Sequence, residues 1–129
     1  MATAFETHGA FSWTELLTSD VPAARKFYSE LLGWKIRDME NSPMSYRIIS
    51  ANDQDIGGMM TIPEKAKGMP PAWGTYVTVK NVDETTGRVK ALGGKVLMAP
   101  QDIPGVGRYS VIQDPQGATI SLITYLPRP

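Results

Sequence analysis

The sequence predicts an α+β fold made of two tandem copies of one unit, in which a strand is followed by a helix and three more strands. The repeat itself carries the prediction. Leu-Leu-Gly-Trp-Lys-Ile at 31–36 matches Ala-Leu-Gly-Gly-Lys-Val at 91–96, an offset of 60 residues that is near half of the 129-residue chain. The strands predicted before these segments match at about the same offset, so the whole unit is repeated.

The first helix is predicted over about residues 22–32. Ser19-Asp20 offers an N-cap, and Pro22 fits the first turn, where its missing N–H is not needed. The apolar residues that follow at spacings of three and four are Ala23, Ala24, Phe27, Tyr28, Leu31 and Leu32. Gly33 provides the helix end. We expect this apolar face to pack inward.

The second helix starts after Asn81, which is a good N-cap. Val82, Thr86, Val89 and Leu92 recur at helical spacing, with acidic residues in the first turn and a lysine in the last. Glycines directly after Leu92 end the pattern, so this helix is expected to reach almost to residue 92.

The remaining apolar and β-branched runs predict eight strands. They are expected at 13–18, 35–39, 46–50 and 56–62 in the first copy, and at 75–79, 95–98, 109–113 and 118–125 in the second. The Pro/Gly-rich segment 100–107 is expected to be a loop, which either covers a site or is ordinary surface.

The domain prediction follows from these elements. We expect a single domain over residues 1–129, with units at about 10–62 and 73–126 joined by a linker at 63–72. Three prolines in the linker make ordinary helix or central strand unsuitable there.

Composition excludes several classes of function. Thirteen basic and thirteen acidic residues give a net charge of zero, which argues against a nucleic-acid partner. No apolar run approaches the roughly 20 residues that span a bilayer, and the start of the chain does not resemble a signal peptide, so we expect no membrane partner and a cytoplasmic protein. The absence of cysteine and the presence of one histidine exclude thiolate chemistry and sites that need two imidazoles.

Two motifs placed on this repeat indicate a family. Phe-Tyr-Ser-Glu-Leu-Leu-Gly-Trp at 27–34 follows the first strand, and Asp-Pro-Gln-Gly at 114–117 precedes the last. The combination resembles the vicinal oxygen chelate superfamily of glyoxalase I, bleomycin-resistance proteins and extradiol dioxygenases, and is most similar to a bacterial subgroup related to lactoylglutathione lyase. The resemblance covers about residues 10–126. It implies two βαβββ units whose curved mixed sheets enclose a cup-like cavity for a small-molecule ligand.

The resemblance also implies where a metal would be held. Metal enzymes of the family place His, Gln or Glu on the first and last strands of each unit. The corresponding positions here are Trp13, Gly58, Gly74 and Ser121. None of these is a metal ligand, and a register shift of one residue does not supply one. We therefore expect no bound metal and no cofactor.

Glu15 is the candidate catalytic residue. It lies two residues beyond Trp13 and therefore on the same face of the first strand. A carboxylate in an apolar cup, with a raised pKa, is suited to acid/base chemistry or to anchoring a ligand amine or hydroxyl. The alternative is a structural carboxylate that pairs with an arginine or lies near a rim or dimer contact. His8 precedes the strand, where a solvated histidine is the simpler interpretation.

Aromatic and hydroxyl side chains supply the candidate ligand contacts. Alternation along the strands and the repeat select Trp13, Tyr46, Tyr76, Thr78, Tyr109 and Ser121 as ligand-binding residues. Arg108 and Tyr109 are adjacent, so only one of them can face the cavity. Gly57, Gly58 and Gly74 either leave room for a flat organic molecule or allow a bulge or close strand packing.

Two classes of function remain. The first is a metal-free small-molecule-binding protein of the bleomycin-resistance type, with an apolar or aromatic ligand in the cavity between the units. The second is a glyoxalase-like or dioxygenase-like enzyme that uses Glu15 as an acid/base group or as the sole retained metal-site carboxylate. A homodimer is expected in either case, because pairing covers sheet edges and apolar faces.

Overall fold

A computed structural model gives the fold and describes residues 3–39 and 46–127. The strands and helices are β1 (Phe11–Thr18), α1 (Val21–Leu32), β2 (Lys35–Asp38), β3 (Tyr46–Ala51), β4 (Gln54–Thr61), β5 (Ala72–Thr78), α2 (Val82–Arg88), β6 (Lys95–Ile103), β7 (Gly107–Gln113) and β8 (Thr119–Tyr125). Single 3₁₀ turns occur at Glu64–Ala66 and Lys90–Leu92. The predicted order, strand, helix and three strands, occurs twice, and the α+β class is confirmed.

The chain divides into two compact units. The first unit comprises Trp13–Gly74, and the second comprises Met1–Ser12 together with Thr75–Pro129. Strands β1 and β5 carry the chain across the two boundaries. Within residues 3–39 and 46–127, each unit has one α-helix packed on a four-stranded portion of sheet.

In the first unit the strand order is β2-β3-β4-β1. Strands β1 and β4 are parallel, whereas β3 is antiparallel to both of its neighbours. Helix α1 packs on one face, which we call the helix face. The core there consists of Leu16, Val21, Ile36, Ile49 and Met59, with Ala24, Tyr28 and Trp34 packed against it. The opposite face carries Trp13 and Glu15 and is called the Trp13 face.

In the second unit the order is β5-β8-β7-β6, with β5 parallel to β8. Val79, Val82 and Leu122 form its apolar core. Beneath α2, the buried hydroxyls of Thr86 and Ser110 share a 2.8 Å hydrogen bond, which satisfies both groups.

An N-terminal arm before β1 extends the second unit. The Gly9 N–H donates to the Thr78 carbonyl at 2.7 Å, and the Thr78 N–H donates to the Ala10 carbonyl at 2.9 Å. The ring of Phe5 meets that of Tyr125 edge-on, with centroids 5.0 Å apart. Backbone pairing and ring contact together hold the arm on β5 and β8.

The caps predicted from sequence are present. The Asp20 carboxylate accepts from the Ala23 N–H and the Asn81 side chain from the Glu84 N–H, both at 3.0 Å. Gly33 ends α1 at a φ of 72°. The second helix is shorter than expected, because α2 stops at Arg88 and continues only as the 3₁₀ turn before Gly93. Among the described residues, no helix has the length and apolarity needed to span a bilayer.

The expectation that the whole apolar face of α1 packs inward is wrong. Val21 is buried and Ala24 and Tyr28 are half-buried, but the side chains of Phe27 and Leu31 are 57% and 62% exposed. Leu32 is also exposed. The sheet accepts only a narrow stripe of the helix, so the flanking apolar residues face outward.

The prediction of a loop over residues 100–107 is also wrong, because the loop is shorter. Strand β6 continues through Pro100 to Ile103, and the turn to β7 consists of residues 104–106. The strand is the last in the order of its unit, where a proline need not donate a ladder hydrogen bond. Register shifts on either side of Met98 adapt the strand further.

Candidate functional site

Three side chains on the Trp13 face form a continuous hydrogen-bonded cluster. The indole Nε1–H of Trp13 donates to the Tyr46 hydroxyl oxygen at 2.9 Å. The Tyr46 hydroxyl in turn donates to Glu15 Oε2 at 2.7 Å. All three residues are half-buried. The cluster therefore ends in a carboxylate that is oriented by the Tyr46 hydroxyl, which is itself held by the Trp13 indole.

Strand register explains why Tyr46 reaches β1. Glu15 pairs with Gly58 across the parallel β1–β4 ladder, and Tyr46 pairs with Met60 across the antiparallel β3–β4 ladder. The Tyr46 side chain consequently crosses β4 to reach Glu15. Gly58 makes this crossing possible, since a Cβ there would collide with the Tyr46 phenol.

The glycines differ in what surrounds them. At Gly58 the space is filled by Tyr46, and at Gly57 a Cβ would strike the backbone carbonyl of Thr14, so close packing explains both. A Cβ on Gly74 would meet nothing closer than the Glu15 carbonyl oxygen at 4.0 Å. Of the three glycines, Gly74 alone leaves room for an added group.

The second unit brings other candidates together. The rings of Tyr76 and Tyr109 lie with centroids 6.2 Å apart, and Ser121 pairs with Tyr76 across the β5–β8 ladder. Thr78 is 4% exposed, and its hydroxyl donates to the Ala4 carbonyl of the N-terminal arm at 2.7 Å. The Thr78 hydroxyl thus has a structural role, while the tyrosine pair and Ser121 share a region of the sheet.

Arg108 and Tyr109 are adjacent in β7 but have different partners in the structure. The Arg108 guanidinium donates two hydrogen bonds to Asp83 on α2, at 2.9 and 3.0 Å, and one to Asp102 at 3.1 Å. These carboxylates raise the pKa of Arg108, and the guanidinium lowers the pKa of Asp83. Arg108 therefore belongs with α2, and Tyr109 is the residue that joins Tyr76.

A second ion pair supports the sheet of the first unit. Arg37 on β2 donates two hydrogen bonds to Asp55 on β4, at 2.8 and 2.9 Å, and the Ser50 hydroxyl donates a third at 2.8 Å. The Arg37 guanidinium, followed by Ser50, lowers the pKa of Asp55 to about 2. This pair joins three neighbouring strands and lies outside the Trp13, Tyr46 and Glu15 cluster.

His8 lies in the N-terminal arm, outside the first strand as predicted. Its Nδ1 accepts a hydrogen bond from the Lys80 N–H at 2.9 Å. The side chain is exposed, as the interpretation of a solvated histidine predicts, and this bond also anchors the arm next to the start of α2.

The side chains do not fit a divalent metal centre of the type that the family resemblance implies. Of its four positions, Trp13 is an indole hydrogen-bonded to Tyr46, and Gly58 is covered by the Tyr46 ring. Gly74 and Ser121 offer no carboxylate or imidazole. Within residues 3–39 and 46–127, no group of three or more His, Cys, Asp or Glu side chains could hold a metal ion.

The contact between Tyr46 and Glu15 could not be predicted from the sequence. Alternation placed Trp13 and Glu15 on one face, but the position of Tyr46 depends on the β3–β4 register, which a bulge between Ile49 and Ser50 shifts. Gly58 was the available signal, because a glycine inside a strand often marks the approach of another group.

Comparison with known proteins supports the family resemblance. The model of the Glyoxalase/Bleomycin resistance protein/Dioxygenase superfamily matches residues 10–122. A Mycobacterium tuberculosis protein named "Putative glyoxylase CFP32" is 38% identical over 128 residues, covering 98% of this chain and 48% of that protein. The anthracycline biosynthesis protein DauV of Streptomyces sp. strain C5 is 30% identical over 127 residues, covering 88% of this chain and 46% of that protein.

The chain thus spans about half the length of these two curated relatives. Among solved structures, methylmalonyl-CoA epimerase from Mycobacterium tuberculosis superposes with a TM-score of 0.65 at 15% identity, over 98% of this chain and 93% of that one. At such identity the likeness concerns the fold alone.

Proposed function

The chain belongs to the Glyoxalase/Bleomycin resistance protein/Dioxygenase superfamily, and from this membership we propose that it binds an apolar or aromatic small molecule without a bound metal. The observation that carries the proposal is the cluster of Trp13, Tyr46 and Glu15 on the Trp13 face. The cluster consists of two aromatic side chains and one carboxylate, whereas a metal centre needs three or four ligating side chains.

The cluster offers two kinds of contact to a ligand. The Trp13 ring offers a flat apolar surface. The Glu15 carboxylate, oriented by the Tyr46 hydroxyl, is suited to an amine or hydroxyl at the polar end of the ligand. A planar molecule with a hydrogen-bond donor at one end therefore matches this face.

We further assign Tyr76, Tyr109 and Ser121 as ligand-binding residues of the second unit. Tyr109 offers a half-buried ring that lies beside the buried ring of Tyr76, and the serine offers a hydroxyl. Thr78 remains in the assignment through its position on β5, although its hydroxyl is used by the Ala4 carbonyl. Because Thr78 is 4% exposed, its contribution would be to support the neighbouring strands of Tyr76 and Ser121 and not to contact the ligand.

The relatives support a small organic ligand as the class. One is named for glyoxylase activity and the other for anthracycline biosynthesis, so both names refer to small organic molecules. Since this chain spans about half of each, the activity of the longer proteins does not identify its ligand.

An enzyme is the second candidate, and the Tyr46–Glu15 hydrogen bond favours it. A phenol that donates to a carboxylate at 2.7 Å fixes that carboxylate in one orientation, which a general base needs. In this case Glu15 would accept a proton from the substrate, and Tyr46 would hold the carboxylate in position.

The proposal is tested by calorimetric titration of 9-aminoacridine, a planar aromatic cation, into the purified chain with and without EDTA. We expect saturable binding of the same affinity under both conditions. Binding that disappears with EDTA and returns with Mn²⁺ would contradict a metal-free site. A lack of saturable binding at millimolar probe would contradict the proposed match between this face and a planar cation.

A further inference from the structure

A groove on the helix face of the first unit lies apart from the Trp13, Tyr46 and Glu15 cluster. Its volume is about 350 Å³. It is lined by Thr14, Trp34, Ile49, Ile56, Gly57 and Trp73. We propose that this groove, called the Trp73 groove, is a second small-molecule site and that it takes a flat, uncharged aromatic ring. The inference goes beyond the proposed function, because it concerns a different site.

The walls of the groove are two indole rings in a fixed arrangement. The Trp34 and Trp73 centroids lie 5.9 Å apart with the planes at 78°. Tyr28 stacks on Trp34 at 5.5 Å and meets Trp73 edge-on at 5.4 Å. The three rings contact one another face to face and edge to face, so they form one continuous aromatic wall against which a ligand ring can pack.

Trp73 is held in place although it is 40% exposed. Its Nε1–H donates to the Tyr28 hydroxyl oxygen at 3.2 Å. Tyr28 is itself packed against the core of the first unit. Because the wall is already ordered, a ligand would not have to bear the entropy cost of fixing it.

The floor of the groove is rigid and uncharged. Gly57 is buried against the Thr14 backbone, where a Cβ would collide, and Ile49 is 1% exposed. Thr14 provides the single side-chain hydroxyl among the lining residues. With no charged group in the lining, a neutral apolar ligand is favoured over an ion, for which burial without a partner is costly.

The size of the groove favours a small molecule over a protein partner. Small-molecule sites commonly have volumes of about 300–1,000 Å³, so this one suits one or two fused rings. A stable protein interface takes roughly 20–30 residues from each partner, whereas six residues line this recess. The occupant is therefore a ring system, and a second copy of the chain is an outcome that the test must separate.

The test uses N-phenyl-1-naphthylamine, a neutral fluorescent probe, titrated into the full chain. We expect saturable binding with energy transfer from tryptophan. Trp73→Ala should weaken binding at least about tenfold, because it removes one wall. Phe11→Ala, which removes an exposed aromatic ring of the second unit, should leave affinity unchanged.

A second variant guards against misfolding of Trp73→Ala. Ile56→Glu places a charge at a residue that is 40% exposed, so the fold should tolerate it while the probe is rejected. Circular dichroism of both variants checks the fold. Retention of wild-type affinity in Ile56→Glu overturns the inference.

Two further outcomes would also overturn it and leave the proposed function standing. In the first, Trp13→Ala removes probe binding while Trp73→Ala does not, which assigns the probe to the Trp13 face. In the second, Trp73→Ala lowers the molar mass in light scattering, which assigns the groove to contact with a second copy. Failure of 9-aminoacridine binding, by contrast, bears on the proposed function and not on this groove.

Discussion

The carboxylate of Glu15 has a defined orientation because the Tyr46 hydroxyl donates to it, and Tyr46 is held in turn by the Trp13 indole. This chain of two hydrogen bonds requires Gly58, which has no Cβ to block the phenol. At the residue scale, then, one glycine, two aromatic rings and one carboxylate act together. The function assigned to them depends on Glu15 meeting a ligand.

Glu15→Gln tests that contact. The amide keeps the size of the side chain and removes its charge, so affinity for 9-aminoacridine should fall by about 1–3 kcal/mol, as expected for loss of a charge-assisted hydrogen bond in a half-buried site. Trp13→Ala should cost as much or more. Calorimetry measures both affinities. The control is Glu64→Gln, the same change at an exposed glutamate outside the cluster, which should leave the affinity unchanged. Unchanged affinity in Glu15→Gln would contradict the binding role and favour the acid/base alternative.

The Arg37–Asp55 pair predicts a pH dependence of stability. Because the pKa of folded Asp55 is lowered to about 2 from its ordinary 3.8, its contribution is complete above about pH 4 and is lost as the pH falls towards 2. Asp55→Asn should therefore lower the free energy of unfolding at pH 7, by about 1 kcal/mol or less since the pair is exposed. Urea denaturation at pH 7 and pH 2 measures it, and a difference that persists at pH 2 would contradict the assignment.

At the scale of helices and strands, the features that depend on neighbouring residues in the sequence could be predicted. The caps at Asp20 and Asn81 depend on neighbouring residues, and both were found where expected. The length of β6 was not predictable, because Pro100 ends a central strand but is tolerated at the edge of the sheet. The exposure of Phe27 on α1 was missed for a similar reason, since the width of the stripe that the sheet covers is a tertiary property.

Gly58 on β4 and Gly74 on β5 can be compared by the same substitution to alanine. Gly58→Ala should lower the free energy of unfolding by about 1–3 kcal/mol, because the methyl group displaces Tyr46. Gly74→Ala is the control and should change it by less than about 1 kcal/mol, since its Cβ meets nothing within 4.0 Å apart from a carbonyl oxygen at that distance.

A double variant identifies the cause in the glycine test. The double variant Tyr46→Ala/Gly58→Ala should lose less free energy of unfolding than the sum of the losses in the two single variants. The reason is that the added methyl group no longer collides with a phenol ring. Additive losses in chemical denaturation would show that Gly58 matters for some reason other than the Tyr46 ring.

At the scale of the whole molecule, the family and the repeated unit were predictable because they depend on spacing along the entire chain. The family match over residues 10–122 agrees with the resemblance at 10–126. The site was predictable only in part. Strand alternation placed Trp13 and Glu15 on one face, whereas the contact of Tyr46 with Glu15 and the shape of the Trp73 groove depend on packing between strands that are distant in sequence.

The homodimer remains a prediction of the account. Edge strands and exposed apolar residues such as Phe27 and Leu31 provide surface that a second copy can cover. Static light scattering over a dilution series should give about twice the 14.1 kDa of one chain. A mass of 14.1 kDa at all micromolar concentrations would contradict the prediction.

The central claim, a binding site without a metal, is tested most directly by the metal content of the chain. Elemental analysis of protein purified without added metal, followed by calorimetric titration of Mn²⁺ and Zn²⁺, should show far less than one equivalent and no saturable binding at micromolar concentrations. The reason is the set of side chains at Trp13, Gly58, Gly74 and Ser121, which supplies no carboxylate or imidazole. About one tightly bound Zn, Ni, Mn or Fe per chain, with loss of ligand binding on its removal, would contradict the account.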